Sequence, residues 1–247
     1  MIQAILIADD GTFPGNRMPA LLYKAAIEVP LLFPAKHIKS IFERNGWTNS
    51  WDAGIFTYHH YHSVTHEVLG IYTGKARVQL GGDSGPVLEL EKGDVLVIPA
   101  GVAHKNLDDE NAVGVVGAYP DGRDYDMNYG KPDERPQADE HIASVPLPET
   151  DPVDGPGGEL TRRWKRFAVL PHGLQYNAKA SSYLFSISYA DREVSCYIHR
   201  VDDIFDVTID EQIKVRLQLE PDGNLHQLTG TKLPESTLGF IKKMVVE

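Results

Sequence analysis

The sequence predicts an all-β protein: an antiparallel double-sheet barrel with a short N-terminal helix and an additional β-rich C-terminal unit. Between residues 55 and 119, short apolar runs alternate with breakers at Thr73-Gly74, Gly81-Gly82-Asp83-Ser84-Gly85, Lys92-Gly93 and Asp108-Asp109-Glu110-Asn111, the rhythm of an antiparallel barrel. Asp94-Val95-Leu96-Val97-Ile98 is a β-branched run bounded by Gly93 and Pro99, which reads as a buried strand. Beyond residue 165, Tyr183, Phe185, Ile187 and Tyr189 alternate with smaller or polar residues, as do Phe205, Val207 and Ile209, then Val215, Leu217 and Leu219.

In chain order, residues 1–53 hold strands and a helix that pack on the barrel. An early strand is expected over residues 21–29. LLFPAKHIKSIFERNGW then reads as a short helix with Ile38, Ile41 and Phe42 on one face and Asn45-Gly46 as its stop. Trp47 and Trp51 are assigned to packing between that helix and the barrel wall, in preference to the barrel mouth. Residues 54–120 form the barrel core. In its strands Arg77 and Gln79 alternate with Ala76, Val78 and Leu80, so only one set faces inward, and the apolar set is preferred. Residues 121–164 form a polar segment and a Pro/Gly-rich arm; the segment, with Tyr119, Arg123, Asp124, Tyr125, Asp126 and Tyr129, is either a lid over the mouth or a solvated loop. Residues 165–247 are the additional unit: a degenerate second barrel half, an independent module, or an extension of the first sheet. Cys196 reads there as a buried, inert thiol.

Two stretches carry chemistry: GIFTYHHYHSVTHEVLGIYTG, residues 54–74, and GDVLVIPAGVAH, residues 93–104. Side chains two apart share a face of a strand, so His60 and His62 point to one centre from a single strand. Glu67 has the opposite parity and joins them if the chain turns at Ser63-Val64-Thr65 and returns antiparallel. The Pro99-Ala100-Gly101 corner carries His104 onto the next strand. His59 and His66 point away by the same parity. Three imidazoles and one carboxylate suit a divalent transition metal (iron, manganese, nickel, zinc or copper) rather than calcium or magnesium. Tyr58, in parity with His60, is the candidate to move a proton.

Both stretches resemble the two motifs of the cupin superfamily: a glycine, His-x-His, Glu and glycine in the first, and glycine, Pro-x-Gly and His in the second. The family's second motif usually closes with asparagine four residues after the histidine, where this chain has Asp108 and places Asn106 earlier. DDGTFPGN, NGWTNSW, YHHYHSVTHEVLG, VGAYPDGRDYD and VPLPETDPVDG look like the YjlB-type single-barrel cupins, a resemblance running over residues 7–164. It implies the cupin double-stranded β-helix, or RmlC-like jelly roll, with one divalent metal (Fe, Mn, Ni or Zn) per barrel on His60, His62, Glu67 and His104. It implies no particular reaction.

Composition narrows the partners. With 35 acidic against 24 basic residues and a net charge of −11, the chain repels nucleic acid and anionic membranes. One cysteine permits no internal disulfide, and the first residues lack a signal peptide's basic flank. The expectation is therefore a cytoplasmic homodimer with a small-molecule ligand. As an enzyme it acts on a small anionic or enolisable molecule, with oxygenase, isomerase and decarboxylase chemistry all compatible. As a non-catalytic module it binds or senses that molecule, or uses the metal as a structural staple.

Overall fold

The structure, a computed structural model, describes residues 2–168, 180–189, 192–201, 203–210, 212–220 and 222–245. The chain divides into two compact units, Met1–His172 and Gly173–Glu247. The first contains, in order, β1 (Ile2–Ile7), β2 (Asn16–Tyr23), α1 (Pro34–Arg44), β3 (Trp47–Ala53), β4 (Glu67–Leu80), β5 (Val87–Glu91), β6 (Val95–Ile98), β7 (His104–Asn106), β8 (Val113–Pro120), α2 (Gln137–Ser144), β9 (Thr150–Asp151), β10 (Gly155–Pro156) and α3 (Glu159–Ala168). One sheet has the order β1-β2-β6-β4-β8-β3, and β4 runs on to pair with β5 and β7. Every pairing is antiparallel. This is a jelly-roll barrel in which one long strand serves both sheets.

That strand explains how the interior is filled. Its register shifts between Ile71 and Thr73. Before the shift Leu69 and Ile71 enter the core, and after it Ala76, Val78 and Leu80 do. A one-residue bulge moves the inward set from odd to even numbers, since the period of a strand is two. The break expected at Thr73-Gly74 is thus a bulge within one strand. Arg77 points outward, its Nη2 donating to Asp108 Oδ1 at 2.7 Å and its Nε at 3.0 Å, so the preferred apolar set does fill the barrel.

The outer face of the sheet is covered. Helix α1 seats Ile38 and Phe42, both fully buried, against Gly70 of β4, where a Cβ would lie 2.6 Å from Ile38 and 2.8 Å from Phe42. Glycine at that position is what lets the helix approach. In β6, Val95, Leu96, Val97 and Ile98 are all buried, so both faces of that strand are dry, which is why its sequence is a continuous apolar run. The early strand ends at Tyr23 rather than near residue 29. Trp47 is buried as expected, its indole N–H donating to the Thr150 carbonyl at 3.1 Å.

The Pro/Gly-rich arm is pinned rather than loose. Asp151, fully buried, accepts from the Tyr23 hydroxyl at 2.7 Å, Val153 N at 2.8 Å, Asp154 N at 3.0 Å and Leu160 N at 2.8 Å. This fixes the start of α3, and the buried Trp164 of that helix donates to the Pro19 carbonyl at 2.9 Å. Helix α3 thus belongs to the barrel unit.

The second unit is a five-stranded antiparallel meander, β11 (Ala180–Tyr189), β12 (Arg192–Val201), β13 (Ile204–Ile209), β14 (Ile213–Leu219) and β15 (Leu225–Gly230), with helix α4 (Glu235–Val245). Its sheet is separate from that of the barrel. Phe205, Val207, Ile209, Val215 and Leu217 form its core with Cys196 and Ile241. Burial pushes the Cys196 thiol up to about 12, as an inert cysteine requires. No helix among the described residues is long and apolar enough to cross a membrane.

Candidate metal centre

The barrel interior brings His60, His62, Glu67 and His104 together at one end of a cavity of about 220 Å³. The route differs from a simple hairpin. Glu67 opens β4 with the inward parity of Leu69 and Ile71, opposite Ile98 of β6. His104 opens β7 opposite the inward Leu80, and paired residues of neighbouring strands share a face. His60 and His62 do not lie on a strand. His60 makes an isolated bridge to His104 and Tyr61 one to Asn128, after which the chain bends at Ser63-Val64 and enters β4. The expected return antiparallel to the histidine segment is therefore corrected: β4 pairs with β6 and β8 there instead.

All four side chains are at most 5% exposed. Glu67 Oε2 lies 3.2 Å from His104 Nε2 and 3.4 Å from His62 Nε2, yet has no hydrogen-bond partner, and neither has His104 Nδ1. Those separations match neighbouring ligands about 2.1 Å from one ion, which stand about 3.0 to 3.4 Å apart. The His60 and His104 rings lie 4.2 Å apart, those of His60 and His62 5.6 Å. As posed, the four are not a finished cage: among the described residues no three His, Cys, Asp or Glu side chains are set to hold an ion. What is present is the donor set and a buried carboxylate oxygen left without a hydrogen bond, a group that normally finds a partner.

Surrounding groups orient these donors. His62 Nδ1 donates to the Asp126 carbonyl at 2.5 Å, leaving Nε2 to face Glu67. His60 Nδ1 lies 3.3 Å from the Tyr58 carbonyl. The Tyr119 hydroxyl donates to Glu67 Oε1 at 3.0 Å and accepts from the Trp51 indole N–H at 2.9 Å. Outer partners of this kind fix ligand orientation in metal sites.

Charge within the cluster is divided. Burial alone would raise the Glu67 carboxyl, but the His62 and His104 imidazoles hold it well below the usual range. Burial opposes protonation of His62, yet Glu67 overrides it and raises that imidazole. His60 is held down to about 3 by burial and by His104.

Two expectations need correction here. Tyr58 is 46% exposed and does not line the cavity. It stacks on Phe56 with ring centres 4.9 Å apart. The parity that linked it to His60 holds only in an extended strand, and residues 57–58 are a bend. Trp51, assigned to packing under the helix, instead lines the cavity, its indole laid against Gly117, where a Cβ would lie 2.0 Å from the ring. His66 points away from the four but is buried, accepting from Ala100 N at 2.9 Å through Nδ1 and packing its ring 4.6 Å from Trp164. His59 also lies apart, its Nε2 3.3 Å from Asp83.

Sequence reasoning missed Tyr119 as a partner of Glu67. The available signal was parity, since Val113 and Val115 of β8 enter the core and Tyr119 continues that set. Of the segment after β8, Tyr125 and Met127 line the cavity, with Tyr125 stacked 4.9 Å from Tyr119 and 5.1 Å from the His62 ring. Asp126 between them accepts from Ser63 N at 2.7 Å, Ser63 Oγ at 2.5 Å and Val64 N at 3.3 Å. The segment contributes to the cavity wall and is latched to the histidine stretch.

No family model matches the chain. It is 41% identical over 163 residues to the uncharacterized protein YjlB of Bacillus subtilis (strain 168), an alignment covering 66% of this chain and 96% of that protein. Acireductone dioxygenase from Bacillus anthracis, with a cadmium ion in its active centre, is similar over 38% of this chain and 64% of that one, at 21% identity and a TM-score of 0.29. An oxalate decarboxylase is similar over 32% of this chain and 22% of that one, at 25% identity and a TM-score of 0.25. The chain thus spans less than two thirds of either solved structure.

Proposed function

This chain belongs to the cupin superfamily as a relative of YjlB, and from that premise we propose that it is a metal-dependent cupin acting on a small oxygen-donor molecule. His60, His62, Glu67 and His104 would hold one divalent transition ion. The observation that carries this is the buried, unbonded Glu67 Oε2 beside two imidazole nitrogens on the wall of a cavity. An ion there would supply Lewis acidity and open positions for a chelating molecule; iron would favour oxygenase chemistry, and manganese or nickel would leave isomerase and oxygenase chemistry both open. The protein's own part is to orient the ligands through Asp126 and Tyr119 and to keep water out with Trp51, Tyr125 and Met127. Turnover is favoured over a structural staple because space for a molecule adjoins the donors.

Elemental analysis of the purified protein, beside a variant with His60 and His104 both changed to alanine, tests the reading. Near-stoichiometric metal is expected in the former and little in the latter. Equal emptiness of both after reconstitution rules the metal site out. Changing Tyr119→Phe removes the donor to Glu67 Oε1 while keeping the ring. Metal affinity by chelator competition is then expected to fall about 10- to 100-fold with the fold intact; an unchanged affinity would show that this hydrogen bond does not position the ligand.

A further inference from the structure

The cavity wall carries information about the rest of the bound molecule. Among the described residues none that lines it is a lysine or arginine, and apart from the four proposed ligands the wall is built of neutral residues such as Trp51, Ile55, Phe56, Leu69, Tyr125 and Met127. Its deeper polar atoms are already engaged with one another: the Trp51 N–H is used by Tyr119, and the Tyr119 hydroxyl by Glu67. A carboxylate or phosphate pressed against this wall would meet no counter-charge and an apolar surface, and burying an unpaired anion is costly. A hydrocarbon body there would instead displace water from aromatic faces and a thioether, a favourable exchange.

Charge balance points the same way. A divalent ion with Glu67 as its one anionic ligand leaves a local charge near +1, enough to compensate one negative charge and no more. Size is also bounded. At the packing density of protein interiors, about 220 Å³ accommodates about ten non-hydrogen atoms.

We infer that the site selects a monoanionic chelating molecule with an uncharged apolar body, such as a 2-oxo acid bearing a branched or flat hydrocarbon group, and rejects dicarboxylates and phosphorylated compounds of the same size. This rests on the metal reading and narrows it: Trp51, Phe56 and Leu69 hold the body from the barrel side, Tyr125 and Met127 from the covering segment.

The test uses probes that share one chelating head, so that intrinsic metal affinity cancels. Metal-loaded full-length protein is titrated calorimetrically with 4-methyl-2-oxopentanoate, benzoylformate and 2-oxoglutarate, with metal content measured in the same samples. The two apolar probes are expected to bind at least about tenfold tighter than 2-oxoglutarate. In Met127→Lys, which places a cation at the covering segment, the preference is expected to shrink or reverse. Equal or tighter binding of 2-oxoglutarate by the loaded wild-type protein overturns this inference and leaves the metal reading standing. Failure to take up metal overturns both, whereas no binding of any probe to loaded protein overturns this inference alone.

Discussion

Replacing Asp126 by alanine is expected to destabilise the barrel by about 2 to 4 kcal/mol and to loosen the cover of the cavity. Its carboxylate accepts from Ser63 N, Ser63 Oγ and Val64 N, and from Asn128 Nδ2 at 2.7 Å. Ser63 is fully buried, so its backbone N–H would be stranded where water cannot replace the lost acceptor. Part of the loss is recovered, because Ser63 Oγ can turn to His141 Nδ1, 3.1 Å away. The second consequence concerns the site. The carbonyl of the same residue accepts from His62 Nδ1, and its neighbours Tyr125 and Met127 line the cavity. One residue therefore ties the cover to a proposed metal ligand. Urea unfolding measures the first effect and the rate of metal extraction by a chelator the second; extraction is expected to quicken by at least about tenfold. Asp126→Asn, which keeps one acceptor oxygen, is expected to fall between. A change under about 0.5 kcal/mol with unaltered extraction would mean that the segment is not latched in this way.

Acid is expected to weaken the metal-free barrel through His66. Burial holds this imidazole down to about 3, and its Nδ1 must stay unprotonated to accept from Ala100 N. Its pKa is lower folded than unfolded, so between the ordinary histidine value near 6.5 and about 3 the unfolded chain binds a proton that the native one refuses. Stability from this group is intact above that window and is lost as pH falls through it, by about 1.4 kcal/mol per pH unit. His60 is depressed for the same first reason and adds to the slope, whereas His62, raised by Glu67, contributes in the opposite direction. Unfolding free energies measured with a chelator present at pH 7, 6 and 5 test this. His66→Asn, which preserves an acceptor, is expected to be less stable at pH 7 by about 1 to 3 kcal/mol but to lose about 1.4 kcal/mol per unit less on acidification. Parallel pH profiles for the two proteins would show that His66 is not the acid-sensitive group.

The clearest failures of sequence reading share a cause. Trp47 and Trp51 stand four residues apart with the same apolar surface to bury, yet one packs beside Thr150 and the other lines the cavity. Gly117, 66 positions from Trp51 and paired with it across β3 and β8, makes the second placement possible. Tyr58 was tied to His60 by a strand period that the chain abandons at residues 57–58. The short helices α2, α3 and α4 escaped notice: α2 carries few apolar residues at helical spacing, whereas α4 does hold Leu238, Ile241 and Val245 at that spacing and its signal was passed over.

What the sequence by itself determined is whatever repeats locally: the antiparallel strands with their turn residues, helix α1 with its stop at Asn45-Gly46, the alternation in the second unit, and the choice of His60, His62, Glu67 and His104 as the candidate ligands that the barrel gathers at one cavity. Burial with a period of two or 3.6 residues leaves that record in the chain itself. What only the tertiary structure decided is everything joining distant positions: the bulge that resets β4, the Trp51–Tyr119–Glu67 relay, and the Asp126 latch on Ser63. Those contacts pair residues more than 40 positions apart, and hydrogen bonding and close packing at such separations leave no periodic trace in the sequence of either partner.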